Sequence, residues 1–474
     1  MKKLLSSIAE ISMEPSLRFD YNFLKCKNTN SSEVYSFFEL FDMNTPSHID
    51  TKSLYENFKY CEISNADKDG NVTPELLNFN NRSLFDEKYY AKIEKGDIIS
   101  VHTDDILLSK VRPNLKKFVR ITPKLMNCYF TNAFISLKPK MMPIILYYCL
   151  RGIFYQNIIA VSRQGKGYPT LNANDLAALK FDKTTIDTLQ ANSKAINDHI
   201  LKIESAIRSK ESAVKPIQSI IDEVFVHEFK LDYSTFDGLK AHKRFEVNFS
   251  MFSNNPDLRF SPKFHRDAGA FVMAQLEGIT SKKIKHFLAE PIVLGASVSP
   301  NDYSDDGDYY YISMATIKNW YFDAEDAKLV SDSYSDSKKT KTVQKNDILL
   351  ARSGEGTIGK VALIDNEDLS GVFADFTMRI RLTNYNTLFA YYYFRTSYFQ
   401  YLVEVYKKGL GNNTNIFPVV IQEFPLPDLL LTEQQRIVDD IQAKIKKQSV
   451  IKSQIAELRS QIDVVIENST TPPV

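Results

Sequence analysis

The 474-residue chain repeats itself in order, with a displacement of about 226 to 246 positions. A repeat of that length fixes an architecture before any single motif is read. Arg18-Phe19-Asp20-Tyr21 returns as Arg244-Phe245-Glu246-Val247. Gly96-Asp97-Ile98-Ile99 leads to Asp105-Ile106-Leu107-Leu108-Ser109-Lys110, which returns as Asp347-Ile348-Leu349-Leu350-Ala351-Arg352. The run CYFTNAFISLKPK at 128–140 parallels VFADFTMRIRLTN at 372–384, and YYCLRGIFYQNII at 147–159 parallels YYYFRTSYFQYLV at 391–403, with Arg151 and Arg395 at the same offset. Each half then carries a polar, Gly-containing loop and a short apolar run ending at Phe181-Asp182 or Pro425-Leu426-Pro427-Asp428.

A long polar segment of helical period closes each half. In the first, Ile196, Ile200, Ile203, Ile207, Val214, Ile217, Ile221 and Val224 step by three and four, with Lys210 at the one polar seam position. In the second, Ile441, Ile445, Gln448, Ile451, Ile455, Leu458, Ile462 and Val465 do nearly the same. Both are heptad seams, and each predicts a helix of about 40 residues and about 60 Å. So narrow an apolar stripe needs a partner, and the helix of the other half is the nearest one. Residues 16–182 and 240–428 instead carry short strand-like runs between Gly, Asn, Asp and Pro. The expected fold class is therefore α+β: two tandem pseudo-symmetric α+β domains joined by two long helices in an antiparallel coiled coil. The expected boundaries are a first domain at 1–182, its helix at 183–228, a connector and second domain over 229–428, and a second helix at 429–469. The connector is placed between His227 and His242.

Composition narrows the function. Lysine and arginine number 59 against 58 acids, so the net charge of +1 argues against purely charge-driven binding to nucleic acid. The four cysteines are far apart and the seven histidines lack metal-binding spacing, which predicts neither a disulfide framework nor a metal site. No run of about 18 apolar residues is present, so the chain is expected to be cytoplasmic, without a membrane.

Gly354-Glu355-Gly356-Thr357-Ile358-Gly359-Lys360 matches the opening of a phosphate-binding loop, but Val361 stands where a hydroxyl would hold magnesium, and a strand-like run follows instead of a helix. A Gly turn between two strands of a hairpin is the expectation. Asp302 to Asp308 lacks the closing Glu of a calcium loop and is expected to be a surface turn. The aromatic runs 309–311 and 391–394 are expected in the core. No nucleophile, carboxylate pair or cofactor loop is found, so no catalytic residue and no cofactor is expected.

The remaining signal is basic. Lys110, Arg112, Lys116, Lys117, Arg120 and Lys124 fall in a stretch without an acid, and a second basic loop, Arg163-Gln164-Gly165-Lys166, follows in the same half. Both features recur as Arg352 and Lys360, then Lys407 and Lys408 with Asn412, Asn413 and Asn415. Lysine and arginine neutralise phosphates, and arginine, asparagine and glutamine read base edges. The DNA-binding candidates are thus Lys110, Arg112, Lys116, Lys117, Arg163, Gln164 and Lys166 in the first half, and Arg352, Lys360, Lys407, Lys408, Asn412 and Asn413 in the second. The coiled-coil and subunit-docking candidates are Ile200, Ile203, Ile207, Ile217, Ile221, Ile451, Ile455, Leu458 and Ile462.

Two tandem domains closed by long helices, with DILLARSGEGTIGKVALI at 347–364 and FPLPDLLLTEQQRIV at 424–438, resemble the specificity subunit of type I restriction and modification systems. The likeness spans essentially the whole chain. Its first half departs from the pattern, with Arg112-Pro113-Asn114 in place of the Gly-rich turn and Lys180-Phe181-Asp182-Lys183 in place of the Pro-Leu-Pro and Glu-Gln signature. The resemblance implies a non-catalytic subunit that recognises a bipartite site in double-stranded DNA, one half-site per target-recognition domain. It also implies docking of methyltransferase subunits, two of them, on the coiled coil, with restriction subunits joining. The alternative from another class is a coiled-coil scaffold joining two protein-binding domains.

Overall fold

A computed structural model describes residues 33–44, 57–78, 87–164, 167–242, 244–253, 259, 261–354, 356–409 and 413–470. The first copy of the Arg-Phe-Asp-Tyr repeat lies outside them. Two compact units divide the chain: one formed by Met1–Ser212 with Ser453–Val474, the other by Ala213–Lys452.

The same two sheets are built in each unit. In the first, a four-stranded sheet runs in the order Phe41–Met43, Phe134–Pro139, Ile106–Ser109, Phe118–Arg120, and a three-stranded sheet in the order Glu75–Leu77, Phe58–Cys61, Cys128–Phe130. In the second, the orders are Val293–Leu294, Thr377–Ile380, Ile348–Ala351, Val361–Leu363, and Lys328–Val330, Tyr309–Ile312, Gly371–Phe373. Even the one parallel pairing recurs, Cys61 opposite Phe130 and Ile312 opposite Phe373. Because a one-residue slip turns every side chain to the other face, these registers fix the repeat. Phe130 corresponds to Phe373 and Leu137 to Ile380, each paired with the same partner position. The repeat drawn from sequence between 128–140 and 372–384 is thus one residue out, although the aromatic helices Pro143–Arg151 and Thr387–Arg395 end on Arg151 and Arg395 as aligned.

The recurring aspartate of the DILL element has a structural role. Asp105 and Asp347 are buried, and each accepts the backbone N–H three residues upstream, from His102 at 2.8 Å and Gln344 at 2.9 Å. Asp347 also takes a two-pronged bond from Arg381, at 2.7 and 2.8 Å. The Ile-Leu-Leu residues that follow are fully buried central strands in both units, which explains why they read as continuous apolar runs. The 309–311 and 391–394 aromatics lie in the strand Tyr309–Ile312 and the helix Thr387–Arg395, and Tyr391 to Phe394 are all buried.

The closing segments differ from one another. The second is a single helix, Leu431–Asn468. The first is three helices, Lys183–Ala191, Ser193–Glu211 and Ile217–Phe229, not one run of about 60 Å. Pro216 precedes the last of them, and its missing N–H and ring block a continuous turn. The break shifts the seam. Ile196, Ile200, Ile203 and Ile207 are buried before it and Ile220, Ile221, Val224 and Phe225 after it, while Ile217 is exposed. On the partner helix Ile455, Ile462 and Ile466 are buried and Ile451 and Leu458 half-buried.

In both units the helices run antiparallel. Within the second unit Ala213 meets Gln448 and Glu228 meets Arg436. Within the first, Lys210 donates to Gln454 at 2.7 Å and Arg459 to Glu211 at 2.7 Å. The expected connector is folded: after Ile217–Phe229, the helix Tyr233–Ala241 buries Phe236 and stacks Tyr233 on Tyr398 at 4.5 Å, inside the core of the second unit. A Gly residue is the only break this helix offers, too weak a signal to separate packed helix from linker.

Candidate nucleic-acid interface

Strand pairing alone brings the two basic loops of each half together. In the first unit the turn after Ile106–Ser109 lies beside the hairpin Arg163–Gln164/Pro169–Thr170. The Arg112 N–H donates to Pro169 O and Leu171 N–H to Lys110 O, at 2.9 and 2.8 Å. In the second unit Ile416 N–H donates to Arg352 O at 2.9 Å, and the Ser353 hydroxyl to Thr414 O at 3.0 Å. The bridges Val111–Thr170 and Ser353–Asn415 are equivalent. The two basic loops of each unit thus lie side by side, as far as the described residues reach.

The turns are also equivalent, despite their different sequences. Ile348–Ala351 and Val361–Leu363 form an antiparallel hairpin around Gly354, Gly356 and Gly359, all at positive φ, which is the Gly turn expected from sequence. In the first unit Arg112 and Lys116 take the left-handed conformation with φ of 51° and 52°, so Lys116 occupies the place of Gly359. Phe118 then matches Val361 in register, and Lys117 matches Lys360.

Individual side chains divide into frame and surface. Lys110 donates to Asn132 O, and its half-buried ammonium is pushed below the ordinary lysine value by desolvation. Lys117 donates to Ile63 O at 3.0 Å. Arg163 forms a fork on Asp175, which is 1% exposed, with Nε at 3.0 Å and Nη2 at 2.9 Å. That geometry anchors the hairpin. Arg112 is exposed and lies over the Tyr168 ring at 5.3 Å, and Lys116 lies over Tyr155 at 4.2 Å. The Gln164 side chain and Lys166 lie outside the described residues.

In the second unit Arg352 donates to Asn415 Oδ1 at 3.2 Å and sits over Phe417 at 5.3 Å, while its own N–H binds Phe376 O. Phe376 and Phe417 are exposed rings flanking this arginine, and sequence reasoning missed both. Nothing in the one-dimensional pattern separated them from core aromatics. Lys407 pairs with Glu404 at 2.7 Å with its side chain 11% exposed, and so frames the loop. Lys408 is exposed and pairs through its backbone with Asn415, at the mouth of the loop that also carries the exposed Asn413. Asn412 lies outside the described residues. Lys360 approaches Trp320, at 4.1 Å from the ring.

What these surfaces offer is cations, amides and exposed aromatic rings, with no set of three metal-ligating side chains among the described residues. Nor is any single described helix long and apolar enough to cross a membrane. Residues 291–460 match the family model described as the type I restriction modification DNA specificity domain. This segment is similar to a type I DNA specificity domain. The match contains both stretches that carry the resemblance in the sequence, 347–364 and 424–438.

No curated protein matches the chain. Among solved structures, a chain from a study of "complex assembly and conformational transition of the type I R-M system" is 14% identical, with 94% of this chain and 99% of that one covered and a TM-score of 0.45. The HsdS subunit from Thermoanaerobacter tengcongensis is 15% identical, with 92% and 95% covered and a TM-score of 0.34. The type I S subunit from M. genitalium is 11% identical, with 95% and 99% covered and a TM-score of 0.38. The turn and hairpin of the second unit, with Arg352, Asn413 and Asn415, lie inside the span 291–460 that the family model matches.

Proposed function

We propose that the chain is the non-catalytic subunit that gives a type I restriction-modification complex its DNA sequence specificity. Each unit reads one half of a bipartite site in double-stranded DNA through its turn-and-hairpin surface. The antiparallel helices dock two methyltransferase subunits, and restriction subunits join that assembly in the cytoplasm. The observation that carries this reading is the duplication itself: two units of identical strand order each bring the same two basic loops together. Different side chains stand at equivalent places, such as Lys110 and Arg352 or Ala133 and Phe376, which is what two different half-sites require.

The test is to co-express the chain with the methyltransferase encoded beside it and map modified bases genome-wide, with a control lacking this chain. A split motif that appears only with the chain is the expected result. A complex that forms but modifies no new motif would instead support a scaffold joining two protein-binding domains.

A further inference from the structure

Trp320 is the single tryptophan of the chain, and its φ is +70°, a costly conformation for a bulky residue. Its carbonyl accepts the Tyr391 hydroxyl and its N–H donates to Ile317 O at 3.2 Å. Two cations share its ring: Lys360 Nζ at 4.1 Å and the Arg395 guanidinium at 5.1 Å from the centroid. Arg395 is 7% exposed, donates from Nη1 to the Tyr391 hydroxyl at 2.7 Å, and leaves Nε without a partner. Neither cation has a carboxylate within ion-pair distance among the described residues. Burial and the Arg395 charge both hold the Lys360 ammonium below the ordinary lysine value.

The first unit shows what satisfaction looks like at the same place. Arg151, at the end of the matching helix, donates to Lys116 O at 3.3 Å, Phe118 O at 3.1 Å and Lys68 O. In the second unit the carbonyl equivalent to that of Lys116 belongs to Gly359, and Gln400 Nε2 takes it at 2.8 Å. Arg395 is therefore released from the carbonyls that neutralise its counterpart. A buried cation without a counterion is expensive, and Arg395, sharing one ring with the half-exposed Lys360, leaves an incomplete arrangement that an anion completes.

We propose that Lys360 and Arg395, gathered on the Trp320 ring, seat one phosphodiester of the bound duplex, a contact of the second unit with no counterpart in the first. Lys360, half-exposed at the end of the Gly turn, touches the phosphate; Arg395 lies too deep to do so and acts as a positioning charge behind it. The inference rests on the DNA-recognition reading above and assigns this site to backbone binding, not to base readout.

The experiment measures Kd for a duplex across a range of salt concentrations, using the full chain in its methyltransferase complex, with Trp320 emission as a second readout. Each phosphate contact contributes about 0.9 to the slope of log K against log salt, so Lys360→Met should flatten the slope by about that amount and weaken all sequences alike. Duplex should change Trp320 emission in the wild type and much less in Lys360→Met. Arg395→Gln is expected to lower stability because the residue is buried, so the half-exposed Lys360 carries the decision. A Lys360→Met complex that keeps the full slope overturns the site while leaving DNA recognition standing. So does one that loses its methyltransferase partner at unchanged slope, which would assign the pair to protein docking. A wild-type complex that binds no duplex at any salt removes the DNA reading, and the site with it.

Discussion

Arg120 belongs to the basic run 110–124, yet its side chain is only 10% exposed and forks onto Glu204 of the helix Ser193–Glu211, at 2.8 and 3.0 Å. It ties a sheet to a helix within the first unit. Removing one member of a buried ion pair costs about 3–5 kcal/mol, because the remaining charge is left uncompensated. Glu204 would keep the Tyr148 hydroxyl at 2.9 Å and the weaker Arg208 contact at 3.4 Å, so Arg120→Met should cost less than that range, about 2 kcal/mol. For a unit of this size that is a fall in Tm of about 4–8 °C. The double variant Arg120→Met/Glu204→Met should recover most of the loss, since two apolar groups replace the pair. Far-UV circular dichroism in urea is the appropriate probe, because the lone tryptophan lies in the second unit and reports the wrong transition. A stable Arg120→Met protein with a reduced salt slope for DNA would refute the reasoning and return Arg120 to the phosphate contacts.

Further expectations follow from other pairs. Arg163→Ala should destabilise the first unit by about 1 kcal/mol or more, because Asp175 is buried although the arginine itself is partly open; relaxed recognition at one base with unchanged melting would contradict this. Burial pushes the Glu404 carboxyl up, but hydrogen bonds from Lys263 and Lys407 outweigh it and hold the group below its ordinary value of 4.5. A depressed carboxyl contributes stability above its unfolded value and loses it as pH falls through the folded one. Denaturant melts of the second unit should therefore weaken on the acid side of that value, and Glu404→Gln should remove that part of the pH dependence. In the long helical segments Ile200→Asp should disrupt the first unit, whereas Ile217→Asp, at an exposed position beside the Pro216 break, should cost within about 0.5 kcal/mol by thermal melt.

Much of this was legible because local pattern and tertiary role coincide. The DILL run is a central strand twice over, and burial on both faces is what writes a continuous apolar word into a sequence. The strand at 128–130 was placed one residue off; strand pairing, Cys61 with Phe130 and Ile312 with Phe373, sets the register and brings the two phenylalanines into line. The first helical segment kept its heptads through Pro216, so periodicity alone predicted one helix where the chain forms three, the last of them set off by the proline ring. At the surface, charge indicated loops that lie together in space but did not separate framing residues from exposed ones. Arg163 and Lys407 are held by acids distant or adjacent in sequence, while Phe376 and Phe417 gain their exposure from turns that composition does not encode.

The helix Leu431–Asn468 begins in one unit and ends in the other, so the first unit is made from both ends of the polypeptide. A ribosome therefore finishes the second unit's share of the chain before it has delivered the last piece of the first. Until residues 453–468 emerge, the helix Ser193–Glu211 has no Ile455 or Ile462 to cover it, and Asp69 and Glu211 have no Arg459. The first unit thus closes only after the second unit's share has been made, and a break in the chain before residue 453 would injure residues more than two hundred positions upstream.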